Sequence, residues 1–231
     1  MNTGMNIYWL GFRGCLYCGS FFPKEDGLCP CCSAELWRWS EVDKVTCLNR
    51  HAFSVYSLFN WYPNKQEVLS RVLIALKGEQ GRDLWRIYAQ EFWRRHLGYE
   101  LQSDKRILPW VIIPSPSRSK VEDHASLFAR GLAEETGATL LPCLARKNCG
   151  ERLQQKSKNR GQRFRIEIDL IENFSRTSFR SLRSSKKVIF VDDVYTTGGT
   201  ALAAWKTLGK PKNFTVWTLA QRASLAGRPS I

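Results

Sequence analysis

Residues 188–200 read Val-Ile-Phe-Val-Asp-Asp-Val-Tyr-Thr-Thr-Gly-Gly-Thr, and this run limits the fold more than any other part of the chain. Val188 to Val191 are four β-favouring apolar residues, the pattern of a strand buried on both faces. Asp192 and Asp193 are expected where that strand ends. A hydroxyl- and glycine-rich loop then feeds Ala201-Leu202-Ala203-Ala204-Trp205, a good helix former. In open α/β sheets ligands lie outside the carboxyl ends of the strands, where the chain turns into a helix. There, backbone N–H groups and about half a positive charge at the helix N-terminus favour an anion. Gly198 and Gly199 let the backbone approach a phosphate closely, and Thr196, Thr197 and Thr200 add hydroxyl donors. The acidic pair suits a vicinal diol or a hydrated Mg²⁺. A phosphorylated sugar satisfies both halves of the site. A Walker-type nucleotide loop is excluded, because the Gly-Lys-Ser/Thr ending is missing.

This run resembles the phosphoribosyl-pyrophosphate (PRPP) motif of the type I phosphoribosyltransferases at all thirteen positions. The resemblance implies that Asp192 and Asp193 hold the ribose hydroxyls and act catalytically. It also implies that the run from Val194 and Tyr195 through Thr196, Thr197, Gly198, Gly199 and Thr200 wraps the 5′-phosphate end.

The 231 residues have room for one α/β domain and a small appendage. No 18-residue apolar run exists, so no membrane insertion is expected, and without a secretory-type start the expected location is cytoplasmic. The formal charge of +14 favours polyanions, including nucleic acid, anionic lipid and phosphorylated ligands, without choosing among them. Most of the nine tryptophans are expected in cores, with Trp37 and Trp39 packing there or between domains.

Cys15-Leu-Tyr-Cys18 and Cys29-Pro-Cys-Cys32 form two Cys-x₂-Cys pairs separated by ten residues. Each pair turns as a knuckle, and four thiolates make a closed tetrahedral site for structural zinc. The x₂ spacing selects Cys32 over Cys31. Cys47, Cys143 and Cys149 are expected to be inert. A zinc-ribbon-like module is assigned to 1–48 and the main domain to 49–231. In the aromatic connector 33–64, strands are expected against the metal module or as a cover over the site.

Further along, apolar spacing predicts a helix from Gln66 to Gly78, with Lys77 in its last turn, and another over 82–97. Ile107–Ile113 is a predicted strand, followed by Ser115-Pro116-Ser117-Arg118-Ser119-Lys120 and a helix over 121–136. That loop, with two cations and three hydroxyls at a strand end, suits a pyrophosphate opposite the first cradle. Leu140-Leu141 and Phe214–Leu219 are further predicted strands. Residues 146–165 carry eight cations against one acid, Glu151, as in a loop that orders onto a polyanion.

The order of these pieces resembles the ComF (GntX-like) family: a four-cysteine module, a helix ending Leu76-Lys77-Gly78, a Pro-x-Pro loop, a basic loop, then the PRPP motif. The chain departs from the family's Arg-Gly-Phe-Asn-Gln run, having Val121-Glu122-Asp123-His124-Ala125 instead. The resemblance implies a type I phosphoribosyltransferase-like fold, with a mainly parallel sheet flanked by helices. By the same resemblance Ser115, Pro116, Ser117, Arg118 and Lys120 grip pyrophosphate, and Mg²⁺ accompanies PRPP. It further implies a role in natural transformation, with single-stranded DNA and a helicase-type competence partner. A phosphoribosyltransferase of unknown acceptor is the expected enzyme class. The alternative is a non-catalytic PRPP-sensing or nucleic-acid-binding regulatory module.

Overall fold

The computed structural model of the protein describes residues 14–21, 23–38, 40, 53–62, 66–78, 81–96, 109–117, 123–147, 167–171, 182 and 184–222. Five strands form one sheet: β1 (Ser54–Trp61), β2 (Trp110–Pro114), β3 (Thr139–Leu140), β6 (Lys187–Tyr195) and β7 (Phe214–Arg222). Their order is β1-β7-β6-β2-β3, and every adjacent pair is parallel. Two short strands, β4 (Leu144–Arg146) and β5 (Ile168–Leu170), make a separate antiparallel ribbon.

The helices cover both faces. Along β6 the side chains alternate, so Ile189 and Val191 enter one core while Val188 and Phe190 enter the other. The first core is closed by α2 (Glu67–Ala75), α3 (Leu84–His96) and α4 (His124–Thr136), the second by α5 (Gly199–Thr207). A strand buried on both sides reads as a continuous apolar run, which is why β6 stands out in the sequence.

The sheet also has a switch point. From β2 the chain moves outward to β3; from β6 it moves the other way, through α5 to β7. The carboxyl ends of β2 and β6 therefore flank the crevice where parallel sheets bind ligands.

Boundaries differ from the sequence reading in instructive places. Strand β6 does not stop at Val191. It runs on to Tyr195, because Asp192, Val194 and Tyr195 stay in register with Thr218, Ala220 and Gln221 of β7. The two aspartates thus lie within the strand, followed by Val194 and Tyr195 at its end. Helix α4 begins at His124, since Asp123 is its N-cap and accepts a 3.2 Å hydrogen bond from the Ser126 amide. The predicted strand at 107–113 is described as Trp110–Pro114, with 107 and 108 outside the described residues. Part of the aromatic connector becomes β1, an edge strand of the main sheet, joined to the cysteine module by a Ser40–Phe59 bridge.

Among residues 14–40 the second knuckle runs directly into a helix, α1 (Pro30–Arg38), with Pro30 at its first position, where a missing N–H costs nothing. Among the described residues, the module's buried side chains share their core with the main domain. Cys15, Leu28, Cys29, Cys32 and Leu36 share one apolar cluster with Leu69 and Val72 of α2 and Tyr88 of α3. Asp26, nearly buried, ties the two together. Its carboxylate accepts from the Leu28 amide, the Ser33 hydroxyl at 2.6 Å and the Trp37 indole, while its carbonyl accepts from Tyr88. Trp37 packs against Phe59 and Tyr88 as a core residue, as expected; Trp39 lies outside the described residues.

Candidate functional site

Asp192 and Asp193 lie near the carboxyl end of β6, at the switch point. The backbone amide of Asp193 donates to Asp192 Oδ1 at 3.1 Å, and the Asp193 carbonyl accepts from the Thr218 hydroxyl at 3.0 Å. Neighbouring β2 supplies Ser115. Its amide donates to the Val191 carbonyl at 2.7 Å, and its buried side chain favours the charged form of Asp192. The two loops that the sequence places opposite one another are therefore joined at their bases. Ser115 sits at the base of the acidic pair.

The carboxyls are held in different states. Burial first, then the neighbouring charge of Asp193, raises the Asp192 pKa to about 8. Burial also works against ionisation of Asp193, but it is outweighed by Lys77, whose Nζ lies 2.7 Å from Oδ2, with help from His124 at 3.7 Å. Asp193 therefore titrates below the ordinary carboxylate range. Lys77 pairs with Asp193, which separates the two aspartates. At neutral pH the site offers one carboxylic acid that donates and one carboxylate that accepts, a match for adjacent hydroxyls.

Immediately beyond, Thr196 and Thr197 are exposed and Gly198 turns with φ +75°, the left-handed region that favours glycine. Gly198 is also the N-cap of α5, and no side chain caps that helix. Its first amides are left for an outside acceptor, as an anion cradle requires. Gly199 and Thr200 form the first helical turn rather than a loop. The side chain of Tyr195 points away from this surface: it is buried beneath α5, so only its backbone borders the cradle. Val194 is partly buried against the opposite core.

Of the second loop, Ser115 and Pro116 are buried and Ser117 is partly exposed; Arg118 and Lys120 lie outside the described residues. The Pro116 carbonyl accepts from Arg146 Nε at 3.1 Å, which ties ribbon β4–β5 to the site. Lys147 pairs with Asp169 at 3.0 Å across that ribbon, and the basic stretch the sequence singles out lies between its strands, with 148–166 outside the described residues.

Sequence reasoning did not assign Lys77 and His124 to the site. They line a cleft of about 90 Å³ beside Asp193, together with Gly78, Arg82, Trp85 and Asp123. A basic residue just before a helix-ending glycine, and a histidine just after an N-cap aspartate, are the local signals; only the fold shows that both meet Asp193.

At the amino terminus, the sulfurs of Cys15, Cys18, Cys29 and Cys32 all lie within 4.8 Å of one another, with Cys18 and Cys29 at 3.7 Å. Tetrahedral zinc thiolates with bonds of about 2.3 Å stand roughly 3.8 Å apart, so the cluster has the size of a metal site. Burial opposes ionisation of Cys15, but amides of Cys18, Cys29 and Tyr17 donate to its sulfur and bring it to about 6. Four sulfurs this close together fit a metal ion, and zinc is compatible with the set. Cys31 is exposed and outside the cluster, in line with the x₂ spacing, and Cys143 is a buried free thiol.

Among the described residues no helix is long and apolar enough to cross a membrane. No family model matches the sequence, and no curated protein matches it.

Proposed function

We propose that the protein binds PRPP at the end of β6 and is a ComF-like member of the type I phosphoribosyltransferase class, with a structural zinc at its four cysteines. The supporting observation is the adjacency, at one switch point, of a donor–acceptor carboxyl pair and an uncapped glycine-led helix N-terminus. A free phosphate would use the second without the first; a sugar phosphate uses both.

In this reading Asp192 and Asp193 hold the two ribose hydroxyls, and Thr196 to Thr200 take the 5′-phosphate. The Ser115–Lys120 loop faces the pyrophosphate, with Ser115 at the base of the acidic pair. The carboxyls stabilise positive charge developing at C1, and one of them accepts the acceptor's proton. Mg²⁺ carried by the diphosphate would neutralise the leaving group. The acceptor is a separate question, tested by mixing protein, Mg²⁺ and PRPP with candidate bases, amines and water and following pyrophosphate release. Binding with no release from any acceptor would favour a PRPP-sensing module over an enzyme.

The charge of +14 favours a second ligand, single-stranded nucleic acid, and with it the role in DNA uptake and the helicase-type partner that the family resemblance implies. Oligonucleotide affinity should fall steeply with salt; a flat salt profile would remove this part of the reading.

A further inference from the structure

Asp193 is gripped from two helices that are far apart in the chain. Lys77 comes from the turn after α2 and His124 is the first residue of α4, and both address the same oxygen, Oδ2. Lysine alone is a loose partner. Its side chain is 44% exposed and sits on a flexible stem, so solvent screens it. His124 is held differently, stacked on Trp85 with ring centroids 6.1 Å apart and planes 23° apart. Trp85 is itself fully buried, and its indole donates to the Leu76 carbonyl at 2.9 Å, one residue before Lys77. One tryptophan thus fixes the ring of the histidine and the turn that carries the lysine.

Packing on Trp85 requires only a flat ring, which phenylalanine would supply equally well. The nitrogen turned toward Asp193 is not explained by that packing. At 3.7 Å it lies beyond hydrogen-bond length, and a shift of less than 1 Å at the start of α4 would close the gap. Such bonds are commonly long before a ligand arrives and tighten afterwards. Among the described residues, four charged or titratable groups lie around His124: Lys77, Arg82, Asp123 and Asp193. Asp123 is engaged in capping its own helix through the Ser126 amide, and among the described residues Asp193 is the acid the ring addresses.

We propose that His124, steadied by Trp85, is a positioning residue for Asp193: it closes onto Oδ2 when a sugar diol binds and turns the remaining carboxylate oxygen toward a hydroxyl. This rests on the ribose-phosphate reading of the site for its ligand, but not for the contact itself.

The test uses the full chain and two substitutions. His124→Phe keeps the ring on Trp85 and removes the nitrogen; His124→Gln keeps a donor and gives up the stack. His124→Phe should weaken PRPP–Mg²⁺ binding about tenfold at an unchanged melting temperature, whereas His124→Gln should stay within about threefold of wild type. Equal affinity of His124→Phe and wild type would overturn the proposal. So would equal losses in both variants that track a loss of melting temperature. A second readout needs no ligand: the ¹³C carboxyl titration of Asp193 should move upward in His124→Phe, and an unmoved titration overturns the proposal. Absence of PRPP binding by wild type would sink the ribose-phosphate reading, while the carboxyl titration would still decide the role of His124.

Discussion

Lys77 Nζ stands 2.7 Å from Asp193 Oδ2, so a residue after the second helix completes an acidic corner formed more than a hundred residues later. The contact separates two adjacent aspartates into an acid and a carboxylate. Removing it should have a definite sign. Lys77→Met should raise the titration midpoint of Asp193, because its depressed value depends on that cation. A depressed carboxylate stabilises the fold above its unfolded value of about 3.9, and the gain disappears as pH falls through the folded value. With Lys77 substantially exposed, the loss at neutral pH should be small, about 0.5–1 kcal/mol by urea denaturation.

Asp192 runs in the opposite direction. Its folded pKa of about 8 lies above the unfolded value of about 3.9, so the native state binds the extra proton between those limits. Stability from this group is complete below about pH 4 and is lost as pH rises through about 8. Asp192→Asn should therefore stabilise the ligand-free protein at pH 8.5, on the order of 2 kcal/mol or roughly 4–8 °C in melting temperature, with much less effect at pH 4. Thermal melts at both pH values check this, and a melting temperature at pH 8.5 that does not rise contradicts the assignment.

Asp26 braces the cysteine module from within, through three bonds to its carboxylate from Leu28, Ser33 and Trp37. Asp26→Ala leaves the Ser33 hydroxyl and the Leu28 amide without that partner in a buried setting. A cost of about 2–4 kcal/mol is expected from equilibrium unfolding. A change below about 0.5 kcal/mol would mean that this carboxylate adds nothing to the module beyond its apolar packing.

The metal reading makes a contrast between neighbours. Cys32→Ser should abolish stoichiometric zinc, measured by elemental analysis, and lower the melting temperature, because folding of so small a module draws on the metal. Cys31→Ser, exposed and outside the cluster, should change neither. Zinc retained by Cys32→Ser and lost by Cys31→Ser would reassign the ligand.

Much of this architecture is legible in the sequence because the governing signals are local. Val188–Val191 is apolar without alternation because both faces of β6 are covered, and Gly198 is required by its own φ of +75°. The cysteine spacing gives the cluster for the same reason: each knuckle is four residues long. What the sequence hides is what depends on distant partners. The end of β6 was misjudged because β7 continues to pair with it as far as Tyr195, and no residue between 192 and 195 announces that. Helix α1 was hidden behind the metal motif, although Pro30 at its first position is a usable signal. Strand β1 mixes buried and half-buried positions as an edge strand does, which blurred its period. Lys77 and His124 carry no motif at all; packing of α2 and α4 onto one sheet end makes them a pair.

The central claim, that the end of β6 is a ribose-phosphate site, is tested most directly by calorimetric titration of the protein with PRPP in Mg²⁺, beside pyrophosphate and ribose 5-phosphate. The account predicts one PRPP per chain, weaker binding of ribose 5-phosphate at the same site, and loss of both on Asp193→Asn with the fold retained. No heat with PRPP, or binding that survives Asp193→Asn unchanged, would contradict it.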